Sequence, residues 1–438
     1  MFSLKNFQNG KRWTNWSNSY VSFPTYYAPK SIEEIVQVVK QHASVGKTIR
    51  VTGAAHSFSP VALPESSALT LHHLRGLLSV DKEKMEATFY AGTYLYEIGP
   101  LLEQYGLAIL NMGDIDVQSL AGVISTGTHG TGVTLGSFSS MVTKWTFVNG
   151  LGEVITHERG EDRLSEALHV SLGLLGILIT VTIRVIPLYS LHYVSSRENL
   201  FSSLQTFQQD IREHRHVEWY YFPGAETIQV KKMNLLLPKY AMERERIMEN
   251  LKLELIENQL FEMASKLCKL QPRLSHSVSK LSSKLITEGE KTDICYKVYP
   301  TPRRVKFNEA EFALPLQQFE ACMEEVHAMM KAKRFAVHFP IECRTTIGET
   351  GYLSPTQNRE SAFLAFHMYK GMDESSYFDW VFTLMEKYDA RAHWGKMNRY
   401  SKHNIDMYYP NAQQFNEIRQ EMDPENIFVT HYFKNIFL

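Results

Sequence analysis

The sequence contains little cysteine. Four cysteines occur in 438 residues, at Cys268, Cys295, Cys322 and Cys343, and they form no CxxC pair. This spacing fits reduced thiols in a cytoplasm and excludes a disulfide scaffold or a cysteine-based metal site. The histidines show no metal-ligand spacing either, so we expect no bound metal.

Net charge and long apolar runs are also scarce. The 46 basic and 47 acidic residues leave a formal net charge of -1, which disfavours binding to nucleic acid or an anionic membrane. The most apolar stretch, GLLGILITVTI at residues 173–183, is ended by Arg184 and is too short to span a bilayer, so it is predicted to be a buried strand. The N-terminus lacks the features of a signal peptide. We therefore expect a soluble cytoplasmic protein with no transmembrane segment, of undetermined oligomeric state.

The length predicts two domains, and the texture of the chain changes near Pro187. Residues 1–187 are rich in glycine and short strand patterns. Residues 240–286 contain no glycine and predict two helices divided at Pro272, with one apolar stripe. Strand patterns return at 305–312 and 335–346. The predicted stripe consists of Ile247, Leu251, Leu255 and Leu260.

A histidine lies in a loop of small residues in the stretch RVTGAAHSFSP. A helical pattern ends at Gly46, a strand is predicted over 49–52, and Gly53 begins the loop that carries His56. Residues this small let the backbone approach a ligand closely. From this stretch alone, an ordinary loop with a solvated histidine is the simpler interpretation.

A second glycine-rich stretch, NMGDIDVQSLAGVISTGTHGTG, covers residues 111–132. Its interleaved serines and threonines and its many free backbone N–H groups suit a polyphosphate ligand, because successive amides can form an anion-binding nest. No Rossmann GxGxxG follows a strand, and no Walker motif is present. A phosphate-rich ligand would therefore need a different fold.

Five short motifs occur in a recognisable order. They are GAAHSFS, SLAGVISTGTHGTG, GLLGILITVTIRVIP, ECR at 342–344 and HWGK at 393–396. Together they resemble the FAD-linked sugar-lactone and alditol oxidases of the vanillyl-alcohol-oxidase type, which include L-gulono-1,4-lactone and D-arabinono-1,4-lactone oxidases. The resemblance covers nearly the whole chain.

The resemblance implies an α+β fold. A para-cresol-methylhydroxylase-type FAD domain would span 1–187, and a substrate-binding cap domain with an antiparallel sheet would span 188–438. The last segment would pack back on the FAD domain, and the active site would lie between the two domains.

The resemblance also implies FAD as cofactor, bonded covalently through His56. The covalent bond would fix the flavin ring and make it a stronger oxidant. The implied FAD-binding residues are Val51, Thr52, Gly53, Ala54, Ala55, His56, Ser57, Ser119, Gly122, Thr126, Gly127, Thr128, His129, Gly176 and Leu178.

Glu342 and Arg344 are two residues apart on a strand pattern, so they share one face while Cys343 takes the other. Without the resemblance, they are read as a structural ion pair. With it, Glu342 would accept hydrogen bonds from substrate hydroxyls and Arg344 would stabilise developing negative charge. Lys396, in HWGK, would be the second cation of the catalytic site.

Two neighbouring residues bear on the reaction type. Gly113 stands where the family controls the access of oxygen to the flavin, and its small size favours an oxidase. Asp114 stands where alditol oxidases have a substrate-contacting serine, which favours a lactone over an alditol. Glu309 and Glu311 resemble a family strand near the site and take a minor role.

The activity implied is oxidation of an alcohol carbon of an aldono-1,4-lactone, a small polyhydroxylated substrate. Hydride would pass to flavin N5, and molecular oxygen would then be reduced to hydrogen peroxide. The alternatives are an alditol oxidase and a dehydrogenase that uses another electron acceptor.

Overall fold

The structure is a computed structural model, and it describes residues 7–8, 10–236, 260–301, 305–333 and 335–438. Its strands are β1 (Phe7–Gln8), β2 (Trp13–Thr14), β3 (Val21–Ser22), β4 (Thr25–Tyr27), β5 (Ile49–Val51), β6 (Ser67–Leu69), β7 (Leu77–Asp81), β8 (Glu86–Tyr90), β9 (Leu107–Ala108), β10 (Val142–Val148), β11 (Val154–Glu158), β12 (Ile177–Arg184), β13 (Ile186–Pro187), β14 (Ser190–Asn199), β15 (His216–Tyr221), β16 (Thr227–Leu236), β17 (Gly289–Ile294), β18 (Phe307–Pro315), β19 (Ile341–Thr346), β20 (Ser361–Tyr369) and β21 (Arg391–Ala392).

The helices lie between these strands. They are α1 (Ile32–Val45), α2 (Leu95–Glu103), α3 (Leu120–Thr126), α4 (Arg163–His169), α5 (Leu200–Glu213), α6 (260–270), α7 (Ser275–Lys284), α8 (Cys295–Val298), α9 (Phe319–Lys331), α10 (Ser375–Lys387), α11 (Ile405–Tyr408), α12 (Ala412–Met422) and α13 (His431–Phe437). Among the described residues, no helix is both long and apolar enough to cross a membrane.

The first part of the chain forms two sheets. In the smaller sheet, of order β1-β4-β6-β5, strands β4, β6 and β5 are parallel. The larger sheet, of order β11-β10-β12-β8-β7, is antiparallel, and its strands β10 and β11 form a hairpin. Helix α1 forms as predicted, because the Ser31 side chain caps its N-terminus and Gly46, at φ 62°, ends it.

The second part is organised around one antiparallel sheet of eight strands, of order β17-β14-β16-β15-β19-β20-β18-β21. One face is apolar and packs on α5 and α9, where the Phe207 ring lies 4.9 Å from that of Trp219 and 4.0 Å from that of Phe319. Cys343 belongs to this face, and its thiol lies 3.9 Å from the Met323 sulfur. The α+β prediction with an antiparallel second sheet is confirmed.

Three details differ from the predictions. The apolar run from Gly173 becomes a strand only at Ile177, because Leu172, Gly173 and Gly176 adopt positive φ and form a turn. Similarly, the strand predicted from residue 335 begins at Ile341. The break at Pro272 is confirmed, but Leu260 is 59% exposed rather than part of a buried stripe. The other stripe residues, Ile247, Leu251 and Leu255, lie outside the described residues.

The last segment contacts both sheets of the first part. The backbone N–H of Ile49 donates to the Ile427 carbonyl at 2.8 Å, and that of Gly150 donates to the Met422 carbonyl at 2.7 Å. The carboxylate of Asp423 accepts from two backbone N–H groups at the turn after α12. These bonds fix the C-terminus against β5, although the domain boundary at residue 187 stays a prediction.

Candidate active site

A groove lies at the end of β5 and the start of α3. Its empty volume, open mouth included, is about 980 Å³. Most of the predicted cofactor-binding residues line it together: Val51, Thr52, Gly53, Ala54, Ala55, His56, Ser57, Ser119, Gly122, Thr126, Gly176 and Leu178. Three chain segments that are distant in sequence therefore meet at one ligand site.

The His56 loop is held from both ends of the chain. The Trp16 N–H donates to the Ala55 carbonyl at 2.8 Å, and the Phe58 N–H donates to the Gly395 carbonyl at 2.6 Å. The His56 ring stacks on Trp16, with centroids 5.6 Å apart and an interplanar angle of 23°. Burial, reinforced by the charge of Lys396, lowers the pKa of His56 to about 4, so the imidazole is neutral and nucleophilic at neutral pH.

Close backbone approach explains the small residues of the groove. A Cβ at Gly53 would collide with the Ser119 hydroxyl, which caps the N-terminus of α3 by accepting from the Gly122 N–H. Ala55, at φ 56°, turns the loop so that His56 faces the groove. A backbone cradle at a helix N-terminus, with a neutral imidazole beside it, fits a diphosphate-linked flavin.

Three predicted cofactor residues lie away from this groove. Gly127 ends α3 at φ 68°, and the Thr128 N–H closes the helix by donating to the Val123 carbonyl. The chain then turns, so that His129 is buried with its ring 3.7 Å from that of Phe363 on β20. His129 therefore belongs to the polar face of the eight-stranded sheet.

Arg344 is surrounded by three carboxylates on that polar face. Its Nε lies 2.6 Å from Glu218 Oε1, its Nη2 lies 3.0 Å from Asp114 Oδ1, and Nη2 also contacts Glu342. The Tyr220 hydroxyl donates to Glu342 at 2.8 Å. Glu342 and Arg344 share a face as predicted, and Asp114 joins them from a separate loop.

Lys396 forms a second ion cluster on the same face. Its Nζ lies 2.5 Å from Glu309 Oε2 and 4.0 Å from Glu311 Oε2. His129 Nε2 lies 3.6 Å from Glu311 Oε1, which connects this cluster to the loop after α3. We refer to the Arg344 and Lys396 clusters together as the polar shelf, comprising Asp114, Glu218, Glu309, Glu311, Glu342, Arg344 and Lys396.

The carboxylates of the polar shelf differ in proton affinity. Burial raises the pKa of Glu218 to about 7 in spite of Arg344, and burial raises that of Glu311 to about 7 in spite of Lys396. Burial also opposes ionisation of Glu309, but the charges of Lys396 and His367 outweigh it and hold its pKa well below the usual range. The shelf thus holds both proton-accepting and permanently ionised groups near neutral pH.

The polar shelf and the groove are adjacent. The Lys396 Nζ lies 5.2 Å from the centroid of the Phe58 ring, and the Phe58 N–H bonds to the Gly395 carbonyl, so Lys396 lies close to the loop that carries His56. Gly113, next to Asp114, is buried, and a Cβ there would lie 3.1 Å from the His129 carbonyl oxygen. Within the described ranges, no His, Cys, Asp or Glu side chains are grouped to hold a metal ion.

The sequence reading missed Glu218, Tyr220 and Lys231. Lys231 Nζ lies 3.7 Å from Glu218 Oε2 and 4.2 Å from the centroid of the Tyr220 ring. The sequence pattern that could have identified two of them is HVEWYY in β15. Side chains alternate along a strand, so Glu218 and Tyr220 lie on one face. The sequence analysis gave Glu309 and Glu311 only a minor role, but both contact Lys396.

Comparisons with known proteins agree with this geometry. A sequence model described as D-arabinono-1,4-lactone oxidase matches residues 181–436, and one described as an FAD binding domain matches residues 24–158. The chain is 30% identical over 427 residues to an L-gulono-1,4-lactone dehydrogenase of Mycobacterium tuberculosis, covering 97% of this chain and 98% of that protein. It is 27% identical over 438 residues to the L-gulonolactone oxidase of Mus musculus, covering 98% of each.

Solved structures show the same fold. A solvent-stable cholesterol oxidase superposes with a TM-score of 0.81 at 16% identity, covering 99% of this chain and 98% of that one. The cholesterol oxidase of Brevibacterium sterolicum gives a TM-score of 0.79 at 15% identity, covering 99% and 97%. The predicted flavoenzyme fold is confirmed. Since the lactone oxidase model matches more than half of the sequence, the chain belongs to the D-arabinono-1,4-lactone oxidase family.

Proposed function

We propose that the protein is an FAD-dependent oxidoreductase that oxidises an alcohol carbon of a sugar-derived aldono-1,4-lactone. The observation that carries this proposal is the polar shelf, which places Arg344, Glu342 and Lys396 beside a groove suited to a dinucleotide. Such a surface can bind several hydroxyls of a small polyhydroxylated substrate. The names of the relatives, lactone dehydrogenase and lactone oxidase, support the lactone as substrate.

Each shelf residue has a role in this proposal. A bound flavin would supply the acceptor for the hydride that leaves the substrate carbon. Glu342 accepts hydrogen bonds from substrate hydroxyls, and Arg344 stabilises negative charge that develops on the substrate oxygen. Lys396 lowers the pKa of the reacting hydroxyl, and the Glu311 carboxylate beside it can accept the released proton, because its pKa is about 7.

Substrate choice is tested by anaerobic mixing of the holoenzyme with candidate alcohols. Bleaching of the flavin absorbance by L-gulono-1,4-lactone or D-arabinono-1,4-lactone, with much slower bleaching by alditols, is the expected result. Asp114 supports this preference, since its carboxylate already pairs with Arg344 at 3.0 Å. Fast bleaching by alditols and none by lactones would favour the alditol oxidase instead.

The covalent link to His56 belongs to the same proposal. The ring is neutral, lines the groove and stacks on Trp16. It would bond to the flavin 8α-methyl carbon with loss of one methyl and one imidazole proton, and the two electrons released would reduce the flavin ring, which oxygen would then reoxidise. After acid precipitation, the yellow colour should remain with the protein, and His56→Ala should release it. His72→Ala is the matched control, because His72 also lines the groove. Release of flavin from the unmodified protein would rule out the covalent link.

Molecular oxygen is the proposed electron acceptor. Gly113 leaves the site beside His129 free of a side chain, which supports oxygen access. The relatives include both a dehydrogenase and an oxidase, so the acceptor needs a direct test. Rapid reoxidation of the reduced enzyme in air, with formation of hydrogen peroxide, is expected. Reoxidation only by an added dye would identify a dehydrogenase.

A further inference from the structure

Arg50, in strand β5, is a buried cation in the wall of the groove. Its side chain lies against backbone carbonyls and one aromatic ring, with the guanidinium carbon 4.7 Å from the centroid of Phe433. Within the part of the chain that the structure describes, no carboxylate pairs with it. Its hydrogen bonds run from Nε to the Val61 carbonyl at 2.8 Å, from Nη1 to the Gly173 and Phe428 carbonyls at 3.3 Å, and from Nη2 to the Leu172 carbonyl.

This environment contrasts with that of Arg344, which is equally enclosed but contacts three carboxylates. A buried charge without an opposite charge is unfavourable, and neutral carbonyl dipoles compensate it only in part. Burial lowers the pKa of Arg50 to about 9, which still leaves the guanidinium charged at neutral pH. The missing negative charge is therefore expected from a ligand.

The lining of the groove likewise carries a positive charge without a negative one. Among its described lining residues, Arg50 is the only arginine or lysine, and aspartate and glutamate are absent. Arg50 also binds the carbonyls of Leu172 and Gly173, two successive residues with positive φ, at 54° and 64°, that form a wall of the groove. A fixed positive charge thus lies directly behind this turn.

We propose that Arg50 is a positioning residue whose charge holds the diphosphate of FAD in the groove, acting across the 172–173 turn. The proposal rests on FAD as the cofactor. Because its donors are bound to carbonyls, Arg50 acts as a fixed charge in a low-dielectric wall, where electrostatic attraction extends over several ångströms. The positive charge of Arg50 would be neutralised by an opposite charge only when the anionic diphosphate is bound.

The test compares two flavins on apoprotein carrying His56→Ala, so that flavin exchanges freely. FAD has the diphosphate and riboflavin lacks it, and both dissociation constants follow from quenching of flavin fluorescence. Arg50→Gln should weaken FAD binding by about tenfold or more and leave riboflavin affinity within about twofold. Arg419→Gln is the control, because Arg419 is also buried but lies outside the groove.

Arg50→Lys keeps the charge and guards against a folding defect in Arg50→Gln. It should retain FAD affinity within about threefold of the parent. Equal losses for FAD and riboflavin in either Arg50 variant would show that the residue only shapes the turn, and would overturn the charge role. If the parent bound neither flavin, the cofactor assignment itself would fail, and the role of Arg50 with it.

Discussion

Glu218 provides a direct test of the electrostatics of the polar shelf. The residue is 5% exposed on β15 and contacts Arg344 and Lys231, yet burial raises its pKa from 4.5 to about 7. The folded protein therefore retains this proton while the unfolded chain releases it. Stability that is fully present below pH 4.5 is lost as the pH rises towards 7.

The magnitude follows from the size of the shift. A difference of about 2.5 pKa units corresponds to about 3 kcal/mol at 1.36 kcal/mol per unit. Glu218→Gln removes the titrating group but preserves its shape, so the variant should gain about 3 kcal/mol relative to the parent between pH 4.5 and pH 8. For 438 residues, at about 2.1 cal/mol/K per residue, this equals about 3 °C in Tm.

The assay is thermal unfolding of both proteins at saturating FAD, at intervals from pH 5 to pH 8. Glu158→Gln removes a carboxylate that is exposed on β11, and shows how much pH dependence charge removal produces alone. A Tm difference between Glu218→Gln and the parent that stays constant with pH would refute the reasoning. A constant difference would mean that Glu218 is ionised throughout this range and held by Arg344.

Three further substitutions address the site. Arg344→Met should slow flavin reduction by substrate at least about a hundredfold while FAD content stays normal, and equal reduction rates in stopped-flow traces would reject its role. Gly113→Ala should slow reoxidation by oxygen about tenfold without affecting reduction, because the added Cβ lies 3.1 Å from the His129 carbonyl; unchanged reoxidation contradicts this. Gly53→Ala should lower the flavin-to-protein ratio of purified protein, since the Cβ collides with the Ser119 cap, and full occupancy would count against the cradle.

Local patterns identified the parts of the site that depend on short-range geometry. The period of two placed Glu342 and Arg344 on one face, whereas the His56 loop was assigned to a cofactor only through the resemblance of its motif to the family. The turn at 172–176 was hidden within an apolar run, because hydrophobicity alone does not reveal positive φ. The late starts of the strands at Ile177 and Ile341 are errors in where an element begins, and the type of element was predicted correctly.

Long-range pairing decided what the sequence could not. Glu218 reaches Arg344 only because β15 pairs with β19, more than a hundred residues later in the chain. His129 leaves the groove because α3 ends in the left-handed conformation at Gly127 and directs the chain towards β20. No local sequence pattern predicts either the contact of Glu218 with Arg344 or the position of His129. Both become visible only in the assembled sheet.

The bonds of the His56 loop also affect the order of events during synthesis. Strand β5 and the loop after it are synthesised before their partners at Gly395 and Ile427, which lie more than three hundred residues further along the chain. These two bonds therefore form only after most of the second part of the chain has been made. A product truncated before Gly395 would lack both partners, so β5 and the His56 loop would be without these two bonds even though the glycine-rich half is intact.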